Sequence, residues 1–248
     1  MKTAGIDIGS RFIKLALLEE GQILLFKKAE TSFSPLERCN ELLRDVKTER
    51  IMATGYGRHL FEVHLGSRTI TEIKAFARGA RALFPECRTI IDIGGQDTKV
   101  ISLDEKGNVR KFEMNDRCAA GTGKFLEIMA KTLDYSMKEF GHVASKGNKK
   151  IRINSMCTVF AESEVVSLIA KGEIREEIAV ALHQLVANRV LSMLKRIPIE
   201  GDIVFAGGCA KNQCLKGLIE HALGKTVHVA DNPEITGALG AALYAMEN

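Results

Sequence analysis

Apolar residues recur along the chain in short runs that alternate with longer segments of helical spacing. The short runs have the length and the β-branched content of strands, and turn residues bound them. They predict strands over 4–8, 12–18, 22–29, 50–54, 89–93, 98–103, 109–114, 202–206 and 226–229. The longer segments predict helices over 36–46, 73–83, 124–132, 159–171, 176–195, 213–223 and 234–246. This alternation is typical of an α/β protein.

The same order of elements occurs twice. Each half opens with three strands in a hairpin meander and continues with alternating helices and strands. The opening strands carry near-copies of one segment, Gly5-Ile-Asp-Ile-Gly-Ser10 and Ile91-Asp-Ile-Gly-Gly-Gln96. We predict two similar lobes, 1–86 and 87–248, that face one another across a ligand cleft. The C-terminal helix is a candidate to pack back on the first lobe.

Both copies place Asp-Ile-Gly at the end of an apolar strand. Glycine lets the backbone approach a phosphate closely and leaves N–H groups to point at it. The Asp7 carboxylate is placed to hold a metal ion or to orient water. One copy alone would indicate a simple hairpin turn, but two copies in matching positions predict phosphate binding. A third glycine cluster, within 205–212, ends a strand and precedes a helix, which suits a nucleoside.

Composition narrows the classes of partner. Of the 248 residues, 35 are Lys or Arg and 31 are Asp or Glu, and the net charge of +4 is spread without a basic block. This balance predicts that neither nucleic acid nor a membrane surface is a partner. No apolar run reaches the roughly 20 residues of a membrane-spanning helix, and the N-terminal segment lacks an export-signal pattern. We expect a cytoplasmic protein.

Six cysteines stand at positions 39, 87, 118, 157, 209 and 214. Without an export signal, free thiols or metal ligands are expected in place of disulfides. Cys118 and Cys157 each precede a predicted helix, whose N-terminus favours a thiolate and an anionic cluster. Spacing alone leaves open the alternative that both are small buried side chains. Buried thiols are the expectation for the other four cysteines.

Three glycine-rich loops in this order are similar to the phosphate 1, phosphate 2 and adenosine motifs of the acetate and sugar kinase, Hsp70 and actin superfamily. Four longer motifs narrow the resemblance. Residues 53–58, 91–99, 114–124 and 157–164 resemble the activators of 2-hydroxyacyl-CoA dehydratases. That ATPase family includes the ATPase subunits of benzoyl-CoA reductase and the reductases of double-cubane-cluster proteins. The resemblance runs essentially end to end and implies a duplicated, ribonuclease H-like α/β fold of the actin, Hsp70 and acetate kinase type, with a central nucleotide cleft.

The resemblance also implies a function. A homodimer would hold one bridging [4Fe–4S] cluster, with Cys118 and Cys157 of each chain supplying the four thiolates that such a cluster takes. It would hydrolyse ATP with Mg²⁺ while passing single low-potential electrons to a dehydratase or to a reductase. Ferredoxin or flavodoxin is the implied electron donor.

The family's nucleotide contacts, carried over residue by residue, fall in both halves. They are Gly9, Ser10 and Lys14 in the first loop, Gly94, Gly95, Gln96 and Asp97 in the second, Glu127 at the ribose, Gly207 and Gly208 at the adenine, and Glu234. Asp7 is the implied Mg²⁺-side carboxylate, acting through water, and Gln96 or Asp97 would orient the attacking water. Residues 11–13 lack the hydroxyls that relatives often carry there, which leaves Ser10, backbone N–H groups and Lys14 to hold phosphate.

Two other functions fit the same fold. A small-molecule kinase of the acetate and sugar kinase type needs a substrate pocket and a base, but no cluster. A non-catalytic regulator would bind ATP without turnover, and the presence of Asp7, Gln96 and Asp97 argues against it. Iron and sulfide content discriminates the activator from the kinase.

Overall fold

The computed structural model describes residues 1–147, 151–155 and 157–247. Its first sheet consists of β1 (Lys2–Ile8), β2 (Phe12–Glu19), β3 (Gln22–Glu30), β4 (Arg50–Thr54) and β5 (Arg68–Thr69). The strand order is β3-β2-β1-β4-β5. Because β1 runs antiparallel to β2 and parallel to β4, the β1–β2 turn and the carboxyl end of β4 meet at one edge of the sheet.

The second sheet repeats the first. Its strands are β6 (Cys87–Ile93), β7 (Thr98–Leu103), β8 (Val109–Asn115), β9 (Asp202–Ala206) and β10 (Val227–His228). Their order is β10-β9-β6-β7-β8, with β6 antiparallel to β7 and parallel to β9. The duplicated α/β architecture expected from the sequence is therefore confirmed.

The helices lie between and around the sheets. In the described part of the chain they are α1 (Pro35–Leu43), α2 (Arg58–Leu65), α3 (Glu72–Leu83), α4 (Gly123–Thr132), α5 (Met137–Ala144), α6 (Thr158–Ala170), α7 (Arg175–Leu194), α8 (Gln213–Leu223) and α9 (Thr236–Glu247). Among these, no helix combines the length and the apolar character needed to cross a bilayer.

Two of these helices, α2 and α5, were not predicted. α5 begins with a capping box, in which the Ser136 hydroxyl accepts a hydrogen bond from the Glu139 N–H and the Glu139 carboxylate accepts one from the Ser136 N–H. The Ser-x-x-Glu spacing was a usable signal. The last helix begins at Thr236, later than the predicted residue 234, because Pro233–Ile235 forms a 3₁₀ turn.

One helix from each half packs against the sheet of the other half. α3 buries Phe76 in one cluster with Ile90 of the second sheet, and α9 buries Ala238 in one cluster with Leu18 of the first. The two helices therefore connect the halves behind the cleft. The division of the chain at residue 86 stays a prediction.

The α3–α9 crossing depends on glycine. A Cβ added at Gly240 would lie 1.7 Å from the Ala75 carbonyl oxygen, and one added at Gly79 would lie 2.0 Å from the Thr236 carbonyl oxygen. No side chain fits at either distance, so the backbones of the two helices are in direct contact.

Candidate nucleotide cleft and cysteine site

Asp7 and Lys14 form the floor of the first loop. They stand opposite one another in the β1–β2 register, and Lys14 Nζ donates to Asp7 Oδ2 at 2.9 Å. Burial lowers the pKa of Lys14, but the adjacent Asp7 carboxylate more than offsets this effect and the pKa is raised. Asp7 is buried, and its Oδ1 has no hydrogen-bond partner among the described residues. An unpaired carboxylate oxygen at the strand end is available to a ligand.

Asp92 and Lys99 repeat this pair in the second half. They are opposite in the β6–β7 register and, like Asp7 and Lys14, seven positions apart. Lys99 is fully buried, and its Nζ lies 3.2 Å from Asp92, 2.8 Å from Asp97 and 2.9 Å from Glu72. Asp92 Oδ1 is a second buried oxygen without a partner in the described chain.

The residues carried over from the family included Asp7 but left out Asp92, Lys99 and Glu72. The signal for Asp92 was present, because it occupies the position of Asp7 in the repeated segment. Glu72 comes from the first turn of α3, and only the fold brings it here. Burial raises the pKa of Glu72 to about 7, although the Lys99 ammonium lowers it.

In each half, a glycine that follows the adjacent parallel strand lies directly against the aspartate carboxylate. A Cβ at Gly55, after β4, would lie 2.5 Å from Asp7 Oδ1, and one at Gly207, after β9, would lie 2.3 Å from Asp92 Oδ1. Both glycines have positive φ, +87° and +82°. Only glycine combines this backbone with so close an approach. The turns at Thr54-Gly55 and Ala206-Gly207 are thus equivalent parts of the duplicated site.

The two predicted phosphate loops face one another. The Gly9 N–H donates to the Phe12 carbonyl and the Gly94 N–H donates to the Asp97 carbonyl, so both loops are closed in the same way. A Cβ at Gly95 would lie 2.8 Å from Arg11 Cβ and 3.8 Å from Ser10 Oγ. The structure thus brings Gly9, Ser10, Lys14, Gly94, Gly95 and Asp97 together, with Gln96 exposed at the turn.

Glu127 and Glu234 lie in contacts between the halves. Glu127, on α4, is 3.3 Å from Arg11 Nη2 of the first loop. Glu234, largely buried, accepts from Lys28 of β3 at 2.5 Å and from Lys211 at 2.6 Å. Burial raises the pKa of Glu234, but the two ammonium groups outweigh it and the pKa is lowered.

Glu234 also adjoins the adenosine-type turn. A Cβ at Gly208 would be 3.7 Å from Glu234 Oε1, and the Gly207 N–H donates to the Pro233 carbonyl. The predicted nucleotide contacts therefore lie close together where the two halves meet. Their individual roles stay predictions.

The cysteines divide by exposure. Cys39, Cys87, Cys209 and Cys214 are buried, Cys118 is half-buried and Cys157 is exposed. Burial raises the pKa values of the Cys39, Cys87 and Cys209 thiols to about 12. Cys157 is the N-cap residue of α6, whereas Cys118 lies within the loop between β8 and α4, whose N-cap is Thr122. The two accessible thiols are the two that were predicted as ligands.

The donor atoms fit two of the expected cofactors. The unpaired Asp7 and Asp92 oxygens are hard ligands of the kind that Mg²⁺ prefers. Glu72, Asp92 and Asp97 also have oxygens within 4.8 Å of one another, but Lys99 Nζ already pairs with all three. Two accessible thiols in one chain are half the usual donor set of a [4Fe–4S] cluster.

Residues 4–245 match the BadF/BadG/BcrA/BcrD ATPase family. The chain belongs to this family. Component A of (R)-2-hydroxyglutaryl-CoA dehydratase from Acidaminococcus fermentans is 38% identical with a TM-score of 0.93, over 100% of this chain and 98% of its own. The activator of 2-hydroxyisocaproyl-CoA dehydratase from Clostridium difficile, with bound ADPNP, is 39% identical with a TM-score of 0.91, over 100% and 95%. The family inferred from the four motifs is confirmed.

A more distant structure supports the fold alone. A glucokinase from Streptomyces griseus is 14% identical, with a TM-score of 0.64, over 100% of both chains. This likeness confirms the expected sugar-kinase type of fold and carries no information on the substrate.

Proposed function

We propose that this chain is an ATP-hydrolysing activator that passes single low-potential electrons to a 2-hydroxyacyl-CoA dehydratase. The observation that carries the proposal is a direct link between the second phosphate loop and the loop of Cys118. The N–H groups of Gly123 and Lys124, in the first turn of α4, donate to the carbonyls of Gly94 and Gly95 at 2.8 Å. Kinase chemistry does not require an accessible thiol, such as Cys118, beside the phosphate loop. Relatives of 38% and 39% identity bear names of dehydratase components and activators, which supports the same partner class.

Residues of both halves contribute to the binding and hydrolysis of ATP. Mg²⁺, when bound with the nucleotide, neutralises charge on the phosphates. Asp7 and Asp92 each keep one buried oxygen without a partner among the described residues, while Lys14 and Lys99 fix the orientation of these carboxylates through their other oxygens. Gln96, exposed at the loop, orients the attacking water, with Asp97 as the alternative. Glu127 and the Gly207–Gly208 turn hold the ribose and the adenine.

Two chains share one [4Fe–4S] cluster in this proposal. The cluster supplies a one-electron carrier of low potential. Cys118 and Cys157 of each chain provide the four thiolates, which requires a two-fold axis between the copies. The helix that follows Cys157 supports a dimer, because Val159 and Phe160 are each 67% exposed and Val166 is 55% exposed. Apolar side chains gathered on one exposed helix are typical of a protein interface.

The electron acceptor is a dehydratase. In the alternative, this chain is the reductase of a double-cubane-cluster protein, and that protein is the acceptor. Ferredoxin or flavodoxin serves as the donor. Each acceptor would dock where the cluster is accessible, and the exposed position of Cys157 supports this arrangement.

The experiment is anaerobic purification followed by iron, sulfide and ATPase assays. We expect about four irons per dimer and a brown protein that hydrolyses ATP. Cys118→Ser and Cys157→Ser should lose the iron and still bind nucleotide, whereas Cys39→Ala, at a buried thiol, should retain it. A colourless wild-type protein that phosphorylates a small acceptor would overturn the proposal in favour of the kinase.

A further inference from the structure

Thr98 and Asn115 are buried neighbours beside the cysteine loop. They stand opposite one another in the β7–β8 register, at the strand ends next to the second phosphate loop. Both side chains reach into residues 118–121, which we call the cysteine loop. Thr98 Oγ1 donates to the Gly121 carbonyl at 2.6 Å. Asn115 Nδ2 donates to the Cys118 carbonyl at 2.9 Å and to the Ala120 carbonyl at 3.3 Å.

The remaining carbonyl of the cysteine loop is also held. Thr122 Oγ1 donates to the Ala119 carbonyl at 2.6 Å, and the Thr122 N–H donates to it at 3.0 Å. All four carbonyls of the loop are therefore turned towards the protein. Gly121 permits this course of the chain, because its φ is +96° and a Cβ there would lie 2.8 Å from Arg189 Cγ.

The orientation of the carbonyls determines where the N–H groups point. In a planar trans peptide the C=O of one residue and the N–H of the next point in opposite directions. Asn115 holds the carbonyls of Cys118 and Ala120 and so directs the N–H groups of Ala119 and Gly121 away from its own amide. The Ala119 carbonyl, held by Thr122, sets the direction of the Ala120 N–H. Within the described residues, these three N–H groups donate to no acceptor. Backbone N–H groups without a partner are rare in buried residues such as Ala120 and Gly121.

We propose that Asn115 is a positioning residue that presents N–H groups of the cysteine loop to the sulfur atoms of the bound cluster, and that Thr98 supports this arrangement by anchoring the Gly121 end of the loop. The inference rests on the proposed function, because it requires the cluster. Hydrogen bonds to cluster sulfurs stabilise the more negatively charged, reduced state and so raise the reduction potential. The two side chains would set that potential through the loop, without touching the cluster.

Thr98 also connects the cysteine loop to the second phosphate loop. It is the residue after Asp97, so one side chain ties the cysteine loop to the end of the second phosphate loop. Asn115 makes no such connection. Loss of the Thr98 hydroxyl should therefore also reduce the difference in potential between the ADP and ATP-analogue states, whereas loss of the Asn115 amide should lower both potentials together.

The test uses the anaerobic holo dimer and three readouts: iron content, reduction potential and iron release to a chelator. Thr98→Val and Asn115→Leu replace the donors with apolar groups of similar size. We expect full iron content, a more negative potential and roughly tenfold faster iron release, the effect of losing about one hydrogen bond. Thr98→Ser keeps the hydroxyl and should restore the wild-type values.

Thr132→Val is the matched control, because Thr132 Oγ1 makes the same type of bond, to Ile128 O at 3.1 Å, near the other end of α4. Variants that hold iron with the wild-type potential and release rate would overturn the inference and leave the proposed function standing. A Thr98→Ser variant that behaves like Thr98→Val would overturn the inference in the same way. A wild-type dimer without iron would overturn the proposed function and the inference with it.

Discussion

At the scale of single residues, the two aspartates of the cleft are equivalent by geometry. Asp7 and Asp92 each end an opening strand, pair one oxygen with a lysine opposite and leave the other oxygen buried without a described partner. Removing either charge should weaken the hold on Mg²⁺ and ATP phosphates, because catalysis of phosphoryl transfer is mainly positioning and charge stabilisation.

We therefore expect Asp7→Asn and Asp92→Asn each to lower the rate of ATP hydrolysis by roughly a hundredfold, with unchanged iron content. Steady-state phosphate release and iron analysis on the same preparations measure both quantities. Asp104→Asn, in the exposed β7–β8 turn, is the control and should retain full activity. Wild-type hydrolysis in either cleft variant would contradict the assignment of that loop.

His183 makes the stability of the fold sensitive to acid. It is fully buried on α7, its Nδ1–H donates to the Ala179 carbonyl at 2.7 Å, and its Nε2 accepts from Asn212 Nδ2 at 2.9 Å. The Asn212 contact requires the neutral ring, because a protonated Nε2 cannot accept a hydrogen bond. Burial lowers the pKa of His183 to about 4, although the hydrogen bond to Ala179 raises it.

The sign of the pH effect follows from this pKa. The unfolded chain takes up the His183 proton near pH 6.5 and the folded chain only near 4. Stability should therefore be full above pH 6.5 and fall as the pH drops towards 4, by on the order of 3 kcal/mol. Urea unfolding of cluster-free protein at pH 7.5 and 5 measures it. His183→Gln should reduce this pH dependence, exposed His64→Gln should not, and equal slopes for wild type and His183→Gln would contradict the assignment.

At the scale of elements, the α3–α9 crossing limits what the chain can tolerate. Gly240→Ala would place a methyl group within 1.7 Å of the Ala75 carbonyl oxygen, so the helices would have to separate. Overpacking of this kind costs about 1–3 kcal/mol, and urea unfolding should show a loss of that size. Gly217→Ala, within α8 and with no atom within 4 Å, is the matched control. It should be neutral or stabilising by up to about 1 kcal/mol, because alanine favours helix.

The helices and strands also show how much of the fold could be predicted from the sequence. The repeated Asp-Ile-Gly segments and the strand periodicity were sufficient for the two sheets, because hydrophobic spacing and turn residues are local signals. β5 has only two residues, too few for any periodicity. Glu72 joins Lys99 because α3 crosses to the sheet of the other half, a long-range packing event that no local pattern encodes. The unpaired N–H groups of the cysteine loop likewise depend on cross-strand partners.

At the scale of the whole molecule, two ion pairs connect the halves near the predicted nucleotide contacts. Arg11 pairs with Glu127, and Lys28 pairs with Glu234. The Arg11 pair is well exposed, so it contributes little to stability by itself. The halves are otherwise joined behind the cleft by α3 and α9. We predict that nucleotide exchange changes the angle between the halves while α3 and α9 stay packed.

The hydrogen bonds of α4 would transmit that change to the cysteine loop. Gly123 and Lys124 donate to the second phosphate loop, and the same helix follows the loop of Cys118. A nucleotide can shift the cluster only by its difference in affinity for the two states. A potential change of about 59 mV for one electron corresponds to roughly 1.4 kcal/mol of that difference, comparable to one hydrogen bond.

Lys124→Pro isolates this link, because proline removes the N–H that donates to the Gly95 carbonyl and is tolerated in the first turn of a helix. Lys124→Ala is the matched control, since it removes the side chain and keeps the N–H. In wild type and in the control, we expect iron release to a chelator and the reduction potential to differ between ADP and a non-hydrolysable ATP analogue. Lys124→Pro should bind both nucleotides and lose most of that difference. An undiminished difference would show that α4 does not carry the signal, and identical values for both nucleotides in wild type would leave ATP hydrolysis uncoupled from the cluster.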